Sequence, residues 1–149
     1  MADAYLTALV WLGSRELSEH QIRARLARRG FDADDIDGAV ARLRADGTIS
    51  DRRVALAAAR LESVVRHRGR ARVLQKVREL GIDRAVADAA VDDVFADVDE
   101  AALLERALDR RLRGKTPREL DDKARARVVR GLVGQGFALD AIMKRLRRN

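Results

Sequence analysis

The chain has 149 residues, of which 47% are hydrophobic, 37% charged and only 3% aromatic, and its 31 Lys and Arg outnumber 24 Asp and Glu to give a net charge of +7. It has no cysteine and a single proline, which excludes disulfides, thiolate metal sites and cysteine nucleophiles and suits a reducing cytoplasm; no apolar run approaches the ~18 residues of a membrane span, and no secretory signal is visible at the N-terminus. The apolar fraction is that of a folded protein, and the basic excess points to nucleic acid or an acidic protein surface, although an arginine-rich chain also suits a GC-rich genome.

Residues 4–12 form an apolar stretch read as a short first helix, with Trp11 in its core because no basic residue neighbours it. Ser18 and Gln21 make a capping box for a helix over 19–29, with His20 a solvated residue of its first turn. A third helix covers 33–46 and ends at Gly47. After the turn Thr48-Ile49-Ser50-Asp51, a long alanine-rich helix over 51–66, with Val54, Leu56, Leu61 and Val65, is apolar on more than one face, which predicts contact with two modules. Helices over 70–80 and 84–96 follow, then one over 100–113 capped by Asp99-Glu100. Thr116-Pro117-x-Glu119 predicts the start of a helix over 117–134, and the last helix covers 139–148. No segment alternates with period two, so no sheet is expected.

One phrase occurs three times. Ile22, Leu26, Gly30-Phe31, Ile36 and Val40 return as Val73, Val77, Gly81-Ile82, Ala87 and Val91, and again as Val128, Leu132, Gly136-Phe137, Ile142 and Leu146. Each copy is a helix with one buried face, a glycine stop and a second helix. Asp32 and Asp83 stand at the expected N-caps of the second helices, and Ala138 leaves the third copy with a weaker cap. Repetition at this interval marks a repeat architecture. The expected fold is all-α: three tandem three-helix repeats, over 4–47, 51–97 and 98–149, in an elongated, slightly curved array of either hand. Modules near 50 residues are marginal alone, so neighbours should stabilise one another.

Charge gathers in two runs. The first is Arg66, Arg68, Arg70, Arg72 and Lys76, at the joint between two helices, where a helix N-terminus would add its own positive end. The second runs from Arg110 to Arg130, and an acidic tract from Asp83 to Glu100 lies between them. A contact strip for phosphates or acidic groups is the functional reading, a solvated face the alternative. No aromatic residue interleaves either run, which argues against base stacking. The two histidines, His20 and His67, have no metal spacing, and no glycine-rich phosphate loop follows a strand. No catalysis and no cofactor are expected.

The order of segments resembles the RecX family of regulators of the recombinase RecA over nearly the whole chain. The resemblance rests on Ser18-Glu19-x-x-Ile22-Arg23-x-x-Leu26-x-x-x-Gly30-Phe31, on Leu43-x-x-x-Gly47-x-Ile49-x-Asp51-x-x-Val54-Ala55, on Arg68-Gly69-x-x-x-Val73-x-x-x-Val77-x-x-x-Gly81-Ile82, and on Arg130-Gly131-Leu132-x-x-x-Gly136-Phe137-x-x-x-x-Ile142. Val54 departs from the family's usual aromatic, Lys76-Val77 from its Glu-Leu, and Gln135 from its Arg. The resemblance implies three three-helix repeats lying in the groove of the RecA–single-stranded DNA filament and restraining the recombinase by binding alone, as a cytoplasmic monomer, with weak contact to single- or double-stranded DNA. Arg66, Arg68, Arg70, Arg72 and Lys76 are the expected contact residues on charge placement. The competing reading is a DNA-binding protein of helix-turn-helix type; the acidic helices over 33–46 and 84–96 have the wrong sign for a groove, and only the last, with Lys144, Arg145, Arg147 and Arg148, has the right one.

Overall fold

The computed structural model describes residues 3–148, and all regular structure among them is helical. Nine α-helices follow one another among the described residues: α1 (Ala4–Leu12), α2 (Glu19–Arg28), α3 (Ala33–Ala45), α4 (Asp51–Arg60), α5 (Arg70–Arg78), α6 (Arg84–Phe95), α7 (Glu100–Leu112), α8 (Asp122–Gly134) and α9 (Leu139–Arg147). They form three successive triplets, as the repeat predicts.

The repeated phrase folds as its residue types dictate. Gly30, Gly81 and Gly136 stand at φ of 95°, 78° and 100°, where a side chain would be strained. Past the first and third of these corners, the N–H of Phe31 and of Phe137 donates back to the carbonyl of Leu26 and of Leu132, each at 3.2 Å. Every apolar position of the three copies is buried except Phe31, which is half-buried. Asp32 accepts from the N–H of Asp35 and Asp83 from that of Ala85, while Ala138 provides no side-chain cap.

Three expectations are corrected. The segment expected to open a helix at 117 makes only a 3-10 turn (Pro117–Glu119), closed by its own capping box. Leu120 is then extended, and Asp121 caps α8 afresh through the N–H of Ala124. The long helix over 51–66 widens into a π-turn (Leu61–Val65), in which Arg66 N–H donates to Leu61 O. Glu62 and Ser63, three and four residues past Ala59, continue the buried face inward, and Leu61 and Val65 are exposed by 42% and 64%. α4 packs on α5 and α6 of its own triplet and touches the first triplet through Asp51 and Arg53 at its start. Finally, Trp11 packs half-buried on the first core, yet the guanidiniums of Arg25 and Arg29 lie 5.6 and 5.9 Å from its ring centroid. Both arrive from α2, so no local signal announced them.

The interior is divided unequally. Ala4 to Ile49 build one core around Ile22, Leu26, Val40 and Leu43. The second and third triplets share a single core running from Val54 to Leu146. The accessible surface is 9310 Å², against about 7,600 Å² for a globule of this mass, so the array is more drawn out than a sphere.

The triplets join by one repeated device. The start of the second helix of a triplet meets the glycine corner of the next. Ser18, fully buried, donates from Oγ to Leu80 O at 2.6 Å while accepting from Gln21 N–H at 3.2 Å, and His20 lies against Gly81. One triplet later, Gly69 N–H donates to Gln135 O at 2.8 Å and Ala71 N–H to Gly136 O at 3.2 Å. A Cβ on Gly69 would fall 2.5–2.7 Å from backbone atoms of Gly136 and Phe137, so only glycine fits there. The corner at Gly30, in the first triplet, has no such neighbour within 4 Å among the described residues.

Candidate functional site

The first basic run lies at this second junction. Its cations are largely spoken for. Arg66 pairs with Glu62 at 2.8 Å, Arg68 stands 4.0 Å from the same carboxylate, Arg70 is ion-paired with Asp92 of α6, and Lys76 lies 3.6 Å from Glu79. Arg72 donates to Gln75 Oε1 at 2.9 Å. Glu62 is buried to 5% exposure on the face that continues from Ala59. The anion-binding helix start expected at α5 is also used: its N–H groups at Gly69 and Ala71 face the carbonyls of Gln135 and Gly136. Arg66 and Arg70 remain exposed, whereas Arg68, Arg72 and Lys76 are half-buried. The structure thus brings all five to one joint, but as members of ion pairs and hydrogen bonds.

Beside this joint lies a feature that the sequence reading missed. Leu61, Val64 and Val65 are exposed by 42%, 59% and 64% on the π-turn that precedes Arg66. Glu62 and Ser63 follow Ala59 by three and four residues and so continue the buried face of α4, which leaves Leu61 on the outer side. The sequence signal of the patch is faint: Glu62 and Ser63 in the middle of an apolar helix.

The second basic run is arranged otherwise. The end of α7 and the face of α8 form a cleft of about 490 Å³, lined by Arg110, Arg111, Arg113, Lys115 and Arg127 over a floor that includes Leu112, Leu120 and Val128. No acidic residue lines it. Among the described residues, none of the five cations has a carboxylate within salt-bridge distance. Arg111 lies flat against Gly131, where a Cβ would displace its guanidinium, and donates from Nε to Gln135 Oε1 at 3.1 Å. Arg113 closes α7 in the left-handed region (φ 50°, ψ 45°) and Gly114 continues there at φ 86°.

Of the basic residues on α9, Arg145 is held by Glu105 through two hydrogen bonds of 2.6 Å. The same bonds hold the Glu105 carboxyl below the usual glutamate range. α3 begins with acidic residues and α6 carries the carboxylates that neutralise Arg52 and Arg70. Among the described residues no group of three or more His, Asp or Glu could hold a metal, and no helix is long and apolar enough to cross a membrane.

Comparison with known proteins places these features in one family. The family model described as "RecX, first three-helix domain" matches residues 4–43. A regulatory protein RecX from Syntrophotalea carbinolica is 35% identical over 137 residues, covering 91% of this chain and 89% of the relative. One from Pseudomonas entomophila is 31% identical over 141 residues, covering 91% and 84%. Among solved structures, the crystal structure of RecX from Lactobacillus salivarius matches with a TM-score of 0.80 at 18% identity, over 98% of this chain and 96% of that one. A second RecX crystal structure matches with a TM-score of 0.82 at 21% identity, over 98% and 70%. At those identities the two structures establish the fold.

Proposed function

This chain belongs to the RecX family of regulatory proteins, and from that premise we propose that it binds the RecA–single-stranded DNA filament and restrains the recombinase without chemistry of its own. The observation that carries the reading is the 35% identity to a RecX protein over 91% of the chain, which spans all three helix triplets rather than one module. Three modules, over 4–47, 51–97 and 98–149, work as one drawn-out body that reaches across neighbouring protomers in the filament groove.

The proposed contact lies at the joint after α4. Leu61, Val64 and Val65 supply an apolar centre, and Arg66, Arg68, Arg70, Arg72 and Lys76 supply a cationic rim. That combination suits a protein surface, in which an apolar core excludes water and charged rim groups set orientation. The exposed pairs of Arg70 with Asp92 and of Lys76 with Glu79 can be exchanged for acidic groups of the partner at little net cost, because exposed pairs are worth only about 0–1 kcal/mol. The protein works as a monomer in the cytoplasm.

Co-sedimentation tests this. The chain is expected to pellet with RecA filaments assembled on single-stranded DNA, and the Arg70→Glu/Arg72→Glu/Lys76→Glu variant to pellet less at equal fold stability. A wild-type chain that stays in the supernatant beside intact filaments would overturn the reading. A folded triple variant that binds like wild type would remove the strip from it.

A further inference from the structure

The second basic run has the one property that the first lacks, which is cations without carboxylates. Five such side chains line a single cleft and repel one another, with no carboxylate within salt-bridge distance of any of them among the described residues. Two local devices tolerate the repulsion. The C-terminal end of α7 carries a partial negative charge that favours cations in its last turn, where Arg110 and Arg111 stand. Gln135 and Gly131 fix Arg111 against α8. Arg113 goes further: it occupies a left-handed position that favours glycine, so a charged side chain is kept where the backbone would prefer none.

We propose that the α7–α8 cleft is a phosphate-backbone site that holds a nucleic-acid strand through Arg110, Arg111, Arg113, Lys115 and Arg127. None of the large exposed hydrophobic side chains among the described residues lines this cleft, and in its floor Leu112 and Val128 are buried and Leu120 half-buried, so a protein partner would find little exposed apolar surface there. No aromatic side chain lines it either, so bases would not stack. What remains is planar, multidentate guanidinium chemistry matched to phosphodiester oxygens. Lys123, Arg127 and Arg130 extend the track along α8 at spacings of four and three residues, on one helix face over about 10 Å. Recognition is therefore of the backbone and not of the sequence, and its strength falls steeply with salt.

The site stands apart from the filament reading, because it is tested with no recombinase present. The probe is a fluorescent oligothymidylate of about 25 nucleotides, long enough to cover the site sizes of ordinary single-strand binders, followed by anisotropy across a salt series. The full chain is expected to bind at low salt, and Arg110→Gln/Arg113→Gly/Arg127→Gln to bind at least tenfold more weakly with a shallower dependence of log affinity on log salt. Gly131→Ala changes no charge; by displacing Arg111 it should weaken binding several-fold. Arg66→Gln/Arg70→Gln is expected to change affinity less than twofold. Wild-type affinity in the folded cleft variant would overturn the proposal, as would no binding by the wild type or equal losses from both sets of substitutions.

Discussion

Residues 66–76 and 110–127 look alike along the chain and differ in space. Both are arginine-rich, both flank a helix end, and each contains a non-glycine residue in the left-handed region, His67 and Arg113. At the first, Glu62 lies beside Arg66 and Arg68 and α6 brings Asp92 to Arg70. At the second, no carboxylate arrives. Charge density read along a sequence therefore measures neither field nor availability. What decides is whether an acidic helix of the same module packs across the basic one, as α6 does across α5 and as no helix does across the α7–α8 cleft.

The largest effect is expected where the first region serves as a junction. Gly69→Ala keeps an ordinary backbone angle, φ −76°, but forces a methyl group into the backbone of Gly136, so it should destabilise the chain by about 1–3 kcal/mol, the range of overpacked cores. Gly30→Ala meets open space and carries only the strain of a positive φ, about 1 kcal/mol. Urea unfolding of the two variants separates them. If Gly69→Ala proves no worse than Gly30→Ala, the junction is looser than its backbone hydrogen bonds imply.

Next in size is the release of the paired cations. Glu62→Gln/Asp92→Asn removes the carboxylates facing Arg66, Arg68 and Arg70. Affinity for single-stranded DNA at low salt should rise several-fold, and the salt slope should steepen by about 0.7 for each phosphate newly met. An unchanged slope would mean that these side chains never reach a phosphate, paired or not.

Arg113→Gly probes the second region from the side of stability. A glycine relieves the left-handed position, and the thermal midpoint should rise, by the equivalent of about 1 kcal/mol. Loss of stability would mean that the Arg113 side chain holds the fold rather than a ligand.

The smallest effect is a pH dependence between the two regions, at α7 and α9. Hydrogen bonds from Arg145 depress the Glu105 pKa in the folded chain. A group with a depressed folded pKa contributes stability that is present above its unfolded pKa and is lost as pH falls through its folded value. Below about pH 4.3, the melting temperature of the wild type should fall more steeply than that of Glu105→Gln. Parallel curves would leave the pair without a net role.

Much of the fold was legible because its signals are local. Glycine at the corners, apolar residues four apart and Asp or Ser at the caps each act within one or two turns; all three triplets obey the first two, and the caps hold except at Gly69 and Ala138. The π-turn was not legible, because Leu61-Glu62-Ser63-Val64-Val65 reads as ordinary helix. The break at Leu120 was hidden for a related reason: Thr116 and Glu119 form a real capping box, but on a single 3-10 turn, and Asp121 then caps α8 anew. Of the candidate residues, the positions of Arg66 to Lys76 at a helix joint were correctly foreseen, and their pairing was not. Asp92 lies 22 residues from Arg70, and no periodicity connects the two.

The account stands most directly on one measurement, the rate of ATP hydrolysis by the same organism's RecA on single-stranded DNA, titrated with this chain. Suppression at substoichiometric protein is the result that the proposed filament binding predicts. An unchanged rate at excess protein, with filaments intact, would contradict a filament-directed regulator.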